Sequence, residues 1–521
     1  MQKELTVNFS IVILAIIIFT ILSLKYAHFT IDDGFIAFRY SDNLANGFGF
    51  SWNYDQTQEF GFTSYLHIIL VAAGIMGGFE AVVFNKILTV ISGAITIVTV
   101  GFLLREITKG QFKFYFIPSL AVATMPYFAV HAIAGLETTL FICLFTLSAY
   151  SYVRFMRTNS KFSLIITSLF IIFCTFTRYE GILVAFTIII HQIYLKIVLK
   201  ENLNTRKFII FLIPTIFLIS LIVWNYQYFG QPLPNPFYVK KSTEITDIVR
   251  NVYEIAAVFV FIIPHILLIL LNLKNNLKNP QTSYIIVQVI VTLIPFLFIN
   301  QWINYFYRYY FHMVPILLAL SIFSLFSIKS KIITGKYTKI ATVLVIILLI
   351  VYNLPTNTSA RAMVDGQSKI LESSHIKIGK ILGKYENLRD NTIGIAVDAG
   401  AIPYYSKWKA YDYTLNDVYV TQRGFDIERF YSFEPKVMII NMSTQGYPQK
   451  SLASLESEII SFLGRPDPLG HVDEIVTHPK FKNYQLVTTY PKILIFVEKD
   501  FVAANPDLIV DLIENSVFLR I

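Results

Sequence analysis

Residues 30–50 read TIDDGFIAFRYSDNLANGFGF and set two carboxylates, Asp32 and Asp33, directly after a hydrophobic segment. A carboxylate held at a hydroxyl group can take its proton as the oxygen attacks, the task of a general base. Three further acids stand in short polar stretches between apolar runs: Glu59 in QEFGFTSY, Glu137 in GLETT and Glu180 in RYEG. Five cations, Arg39, Arg178, Lys240, Lys241 and Arg308, lie apart from the basic clusters of the other loops. Cations so placed point to an anionic partner, and phosphate suits both Arg and Lys. Each residue also has a plainer reading. Glu137 and Glu180 head apolar segments, where a carboxylate at a helix start is worth a few tenths to about 1 kcal/mol. Any one cation can be neutralised by a neighbouring acid or a lipid headgroup, and aromatics such as Trp52, Tyr65, Tyr228, Trp302 and Tyr309 suit an interfacial belt.

The element that carries the acidic pair is short. Thr30 and Asp33 are spaced as in a capping box, with Asp in place of the preferred Glu, so Asp33 is expected to cap a helix. Asn46-Gly47 is expected to close it with a left-handed cap. Between them Ile36, Tyr40 and Leu44 form an apolar stripe suited to lying on a membrane surface. Asp32 and Arg39 are seven residues apart. At 3.6 residues per turn that puts them almost on one face, about 10 Å apart along the axis, so a base and a cation are expected to look into one space. Capping accounts for Asp33, which makes Asp32 the first candidate for the base.

These residues must be held by a membrane framework. The chain has 521 residues, 55% of them hydrophobic and 15% charged, with a mean hydropathy of +0.57, a balance that excludes an ordinary soluble domain. A spanning helix needs about 20 mainly apolar residues because its backbone must be satisfied internally. Spans are expected near 8–26, 82–104, 113–130, 138–153, 163–177, 181–197, 208–225, 252–272, 283–300, 310–328 and 338–353, eleven in all. The first resembles a signal peptide but lacks a small-residue cleavage site, so it is read as a retained helix. The run TSYLHIILVAAGIMGG from Thr63 is shorter and is read as an interfacial or re-entrant helix.

The net charge of +9 comes from Lys and Arg between apolar runs, the pattern of the positive-inside rule, and implies no nucleic-acid partner. With eleven spans the basic loops at 105–113, 154–161, 196–207, 274–278 and 329–339 share one side, which is then cytoplasmic together with the N-terminus. The polar loops that hold the acids share the opposite, exoplasmic side. Cys143 and Cys174 lie inside hydrophobic runs and are expected to be buried packing residues. Residues 1–353 are thus read as a transmembrane catalytic domain with a first external loop at 27–81, and residues 354–521 as a water-exposed domain outside. In the latter, TIGIAVDAGAIPYYS, KVMIIN and YQLVTTYPKILIFVEK read as strands with turns, and SLASLESEIISFLG as a helix, which makes a small α/β fold.

The segments DDGFIAFRYSDNLANGFGFSWN and EFGFTSYLHIIL, followed in order by AGLETTLF, TRYEG, YFGQPLPNPFYVKK, YRYYFHMVPIL and DAGAIPYYS, resemble the polyprenyl-phosphate-dependent glycosyltransferases of the GT-C superfamily. The resemblance runs most strongly to the branch of the mycobacterial terminal arabinofuranosyltransferases. Phe60 departs from it, standing where a glycine is usual, with Gly61 next to it. The resemblance implies a GT-C-like membrane fold, a polyprenyl-phosphate sugar donor, a glycan or lipid-linked acceptor, contact with membrane lipids, and a place in a bacterial inner membrane. It also implies that Asp32 or Asp33 supplies the catalytic carboxylate, and that Arg308, Arg39 and Lys240 or Lys241 neutralise the leaving phosphate. Some members of the superfamily use a divalent cation, so Mg²⁺ or Mn²⁺ is a candidate cofactor. Asp398 and Asp417 fall near the face of the end domain, in text that reads equally as a strand-to-turn sequence. Two other readings stay open: a transporter or flippase of a lipid-linked or polar solute, and a glycan polymerase or ligase with a lipid-diphosphate donor.

Overall fold

A computed structural model describes residues 2–54, 58–201, 209–239, 245–299, 304–332, 336–352, 354, 356–396, 399–412, 425–441, 472–491 and 493–516. Lys240, Lys241, Asp398, Asp417 and the helix expected from residue 451 lie outside the described residues. The helical part runs α1 (Gln2–Lys25), α2 (Asp32–Ala45), α3 (Tyr65–Met76), α4 (Ala81–Ile107), α5 (Ile117–Ala123), α6 (Pro126–His131), α7 (Thr138–Thr158), α8 (Lys161–Thr177) and α9 (Leu183–Ile197). It continues through α10 (Leu212–Phe229), α11 (Asn235–Val239), α12 (Ile245–Phe261), α13 (Ile263–Leu271), α14 (Leu273–Lys278), α15 (Pro280–Leu293), α16 (Val314–Ile332) and α17 (Lys336–Val351).

Among the described residues, eight helices are long and apolar enough to cross a membrane, or nine if the pair α12–α13, bent by 86°, counts as one span. The protein is a polytopic α-helical membrane protein. Three expected spans differ from single long helices. Residues 113–130 break into α5 and α6 because Pro126, at the start of α6, lacks the N–H that a continuous helix would use and crowds the preceding turn. Residues 163–177 form α8, which has 17 residues. Pro264 stands in the first turn of α13, at the bend from α12. Cys143 and Cys174 are free and buried.

The first loop corrects two local expectations. Helix α2 starts at Asp32 with Ile31 as its N-cap (φ −95°, ψ 154°) and no side-chain capping bond, one residue later than a Thr30 cap requires. The Thr30 hydroxyl instead donates to the Phe29 carbonyl at 2.9 Å. The apolar stripe does not lie on a membrane surface: Ile36 and Tyr40 are buried in one core with Trp52, Phe60, Phe62 and Tyr65, and that core continues into Ile393, Ile402 and Trp408 far along the chain. The far end of α2 closes as expected, with Gly47 at φ +85°.

The residues that meet α2 belong to a C-terminal sheet domain. Helices α18 (Thr356–Leu371) and α19 (Lys377–Gly383) lead into β1 (Thr392–Ala396), α20 (Ala401–Ser406), β2 (Lys409–Asp412), β3 (Val437–Asn441), β4 (Tyr484–Tyr490) and β5 (Ile493–Glu498). The strand order is β2-β1-β3-β5-β4. β1 pairs in parallel with β2 and β3, and β5 is antiparallel to β3 and β4. Val, Ile and Leu dominate β3 and β5, which are buried along almost their whole length, as inner strands of a covered sheet must be. The unit β1–α20–β2 places α20 directly against α2.

Candidate active site

A cavity of about 470 Å³ opens between α2, α3, the loop before α7, the Arg178–Glu180 turn, α11 and the segment around Arg308, within the usual size of a small-ligand site. Asp33, Glu137, Arg178, Glu180 and Arg308 all line it. The pattern on α2 is helical: Asp33, Ile36 and Ala37 share the cavity face at spacings of three and four. Asp32, Arg39 and Glu59 are not among the lining residues.

The loop that brings Glu137 to the cavity is pressed against the start of α2. Ile31 N–H donates to the Ala134 carbonyl at 3.0 Å. A Cβ at Gly34 would meet the Gly135 carbonyl oxygen at 2.9 Å, and Gly135 itself has φ +93°, a region costly for other residues. Two glycines back to back therefore allow Asp33 and Glu137 to reach the same space. Arg178 Nε donates to Glu137 Oε1 at 2.7 Å, Arg178 Nη2 donates to the Thr138 hydroxyl at 3.2 Å, and Glu180 Oε1 is 3.9 Å from Nη1. Burial of Glu137 works to raise its pKa, but the Arg178 guanidinium, together with His67, a backbone hydrogen bond and Arg308, outweighs it and holds the group down at about 2.

Arg308 is held more loosely. Its Nη2 is 3.4 Å from Asp33 Oδ2 and 3.1 Å from the Tyr309 hydroxyl. Its side chain is 7% exposed, and Nε is buried with no hydrogen-bond partner among the described residues. Arg178 Nη1 is likewise buried without a hydrogen bond. The turn that delivers Arg308 is strained: Phe306 and Tyr307 have φ values of 51° and 61°, a conformation that costs about 1–3 kcal/mol per non-glycine residue. Packing holds it there, with the Phe306 ring against Phe29, Tyr127 and His131.

Asp32 and Arg39 correct the expectation of a base and a cation facing one space. They do share a face, but it is covered by the C-terminal domain. The Asp32 carboxylate accepts the N–H groups of Gly400 and Ala401, both at 2.8 Å, at the start of α20. Arg39 is fully buried, and its guanidinium donates to the carbonyls of Trp52 (2.7 Å), Trp408 (2.9 Å) and Pro403, and to Asn53 Oδ1 (3.1 Å). All three guanidinium nitrogens of Arg39 are thereby bonded to protein, on the side away from the cavity. Glu59 belongs to the turn beneath: its carbonyl accepts from the Tyr40 hydroxyl at 3.0 Å.

His67 is a lining residue that the sequence reading missed. It is fully buried on α3, 2.6 Å from Asn85 Oδ1 through Nε2, and its Nδ1 has no partner among the described residues. A polar residue in the otherwise apolar run YLHIILVAAGIM was the available signal. Among the described residues no three His, Cys, Asp or Glu side chains come together as a metal site would require. Asp33 faces Arg308 and Glu137 faces Arg178, so the carboxylates do not fit a shared Mg²⁺ or Mn²⁺.

No protein-family model and no curated protein matches the chain. Solved structures do. The chain is similar to ArnT from Cupriavidus metallidurans in the apo state, with a TM-score of 0.62 at 10% identity over 93% of this chain and 97% of that one. It matches the same protein bound to undecaprenyl phosphate with a TM-score of 0.57 at 10% identity over the same shares. The oligosaccharyltransferase AglB of Archaeoglobus fulgidus, in complex with an inhibitory peptide and a dolichol-phosphate, gives 0.55 at 12% identity over 92% of this chain and 72% of that one. Likeness at this identity shows the fold alone: the chain has a GT-C-like fold, shared with these structures.

Proposed function

We propose that the protein is a membrane glycosyltransferase that moves a sugar from a polyprenyl-phosphate donor to a glycan or lipid-linked acceptor, with Asp33 as general base. One observation carries the proposal. Two buried arginines with unfilled donors and three carboxylates converge on a single cavity, and the fold is shared with transferases bound to polyprenyl phosphates.

Arg308 is the natural anchor for the donor phosphate, since its bond to Asp33 is long and Nε is unused. Phosphate arriving at Arg308 replaces Asp33 as its anionic partner and frees that carboxylate for the acceptor hydroxyl. The hydroxyl proton passes to Asp33, the acceptor oxygen bonds to the anomeric carbon, and the bond from that carbon to phosphate oxygen breaks. Polyprenyl phosphate leaves with its charge held by Arg308. Arg178, tied to Glu137, keeps the wall of the cavity rigid, and His67 Nδ1 meets a sugar hydroxyl. The apolar sector of Phe62, Phe237, Phe296 and Phe298 suits the first isoprene units. The loop motifs favour the terminal arabinofuranosyltransferase-like branch, acting on the exoplasmic face of a bacterial plasma membrane.

The test is incubation of the purified protein with a panel of polyprenyl-phosphate sugars and candidate acceptors, scoring release of polyprenyl phosphate and glycan product. Asp33→Asn should lower transfer roughly a hundred- to ten-thousand-fold, the usual worth of a general base. Full transfer by that variant would show that Asp33 is not the base.

A further inference from the structure

The first loop and the C-terminal domain meet at a joint that touches the cavity through a single peptide. Asp32 is bonded to the domain and Asp33 lines the cavity, with consecutive Cα atoms about 3.8 Å apart. The joint is tight. A Cβ at Gly400 would lie 2.0 Å from the Asp32 carbonyl oxygen and 2.8 Å from its carboxylate. Further along α2, Lys407 Nζ pairs with Asp42 at 2.6 Å, and Trp52 Nε1 donates to the Ala410 carbonyl at 3.1 Å. On the opposite side the same helix start is fixed by Ile31 to Ala134 and by the contact of Gly34 with Gly135. Helix α2 is thus clamped between the loop that carries Glu137 and a segment 368 residues away.

We propose that the C-terminal domain is a working part of the catalytic site, with Asp32 and Gly400 as the positioning residues through which the seat of the domain fixes the place of Asp33. The proposal rests on Asp33 as the base. A carboxylate that must meet a hydroxyl at hydrogen-bond distance tolerates little displacement, and a misplacement of about 1 Å can cost roughly a hundredfold in rate. Any shift of residues 400–401 is passed through the one peptide between Asp32 and Asp33 to that carboxylate. The adjacent acids divide the labour: one holds the domain and the other faces the reaction.

Gly400→Ala tests this without removing any polar group. Gly400 has φ −88°, open to alanine, so the sheet domain can carry the change and only its seat against Asp32 is obstructed. In full-length purified protein, with turnover normalised to the monodisperse fraction and the most active donor of the panel, kcat should fall roughly a hundredfold while the donor KM stays unchanged. Hydrogen–deuterium exchange should rise across residues 32–37 and 134–137. Gly366→Ala, where an added Cβ meets nothing within 4 Å, is the control and should do neither. Charge reversal supplies a second arm. Asp42→Lys and Lys407→Asp should each lower kcat several-fold, and the double variant should regain most of it.

Wild-type kcat in folded Gly400→Ala, or a loss confined to KM, overturns the proposal. If that variant does not fold, the reversal pair decides alone, and single variants with wild-type kcat or a double variant that fails to recover are equally fatal. The exchange arm needs no substrate. A rise across 32–37 together with an active Asp33→Asn would therefore separate a sound joint from a wrong base.

Discussion

Arg39 gives the sharpest contrast between a structural and a substrate-binding cation. In Arg39→Met the stem is kept and four hydrogen bonds from a charged donor are removed, those to the carbonyls of Trp52, Pro403 and Trp408 and to Asn53 Oδ1. At about 1.5–3 kcal/mol each, the gross loss is roughly 6–12 kcal/mol. Two considerations reduce it. The Trp52 carbonyl keeps Asn43 Nδ2 at 3.1 Å, and the Pro403 carbonyl keeps the Lys407 N–H at 3.1 Å, so the Trp408 carbonyl is the one most exposed to the loss. A fully buried cation is also removed, which returns several kcal/mol of desolvation. The net destabilisation should be about 2–4 kcal/mol, or roughly 5–15 °C in Tm for a domain of this size. It should fall at the joint between the first loop and the C-terminal domain. Thermal unfolding followed by tryptophan fluorescence is a direct readout, since Trp52 and Trp408 are both at the joint. Limited proteolysis should cut the variant between the two parts sooner than the wild type. An unchanged Tm and cleavage pattern with a raised donor KM would refute this reasoning and make Arg39 an anion ligand after all.

Arg308→Lys keeps the charge but removes Nε and the planar fork, so kcat/KM should fall by about ten- to a hundredfold, equivalent to a phosphate held about 1–3 kcal/mol less tightly in the transition state; an unchanged value would mean that the phosphate binds elsewhere. Glu137→Gln leaves Arg178 buried without its carboxylate and should cost about 3–5 kcal/mol, whereas Glu137→Gln combined with Arg178→Met should cost less than the sum of the singles, as measured by thermal unfolding. Because Glu137 is held down at about 2, below its unfolded value of about 4.3, its stabilisation is complete above the unfolded pKa and is lost only as pH falls through the folded one. Melting curves should therefore show this pair contributing a constant amount between pH 5 and 8, with the difference between wild type and Glu137→Gln shrinking only below about pH 4. His67→Phe should lower kcat/KM about tenfold, one hydrogen bond's worth; wild-type kinetics would show that Nδ1 meets nothing in the reaction.

The membrane helices were legible because hydrocarbon imposes one demand on every span, and runs such as Ile11–Leu22 answer it by composition alone. The break at Pro126 was legible in principle, since proline carries its own consequence, but averaging hydropathy over residues 113–130 conceals a single residue. Strands β3 and β5 announced themselves through Val, Ile and Leu. Strand β2, with the sequence KAYD, did not: it becomes a strand by pairing Lys409 with Thr392 and Ala410 with Ile393, and pairing is a property of the partner as much as of the segment.

The acidic pair shows where local reading stops. Successive residues on a helix point about 100° apart, so two neighbouring carboxylates at its start cannot both face one cavity. Helical spacing sorts them correctly: Asp33 goes with Ile36 and Ala37, while Asp32 goes with Arg39 at seven residues, as the sequence implied. It cannot say which face is covered by what. What joins Asp32 to the domain is the backbone at Gly400 and Ala401, two N–H groups that carry no side-chain signature and lie in a segment whose text reads as an ordinary turn. Asp32 looked like the freer acid because the capping box assigned Asp33 a task. The helix in fact starts at Asp32, that box never forms, and the carboxylate left facing the arginines is the one that local pattern had set aside.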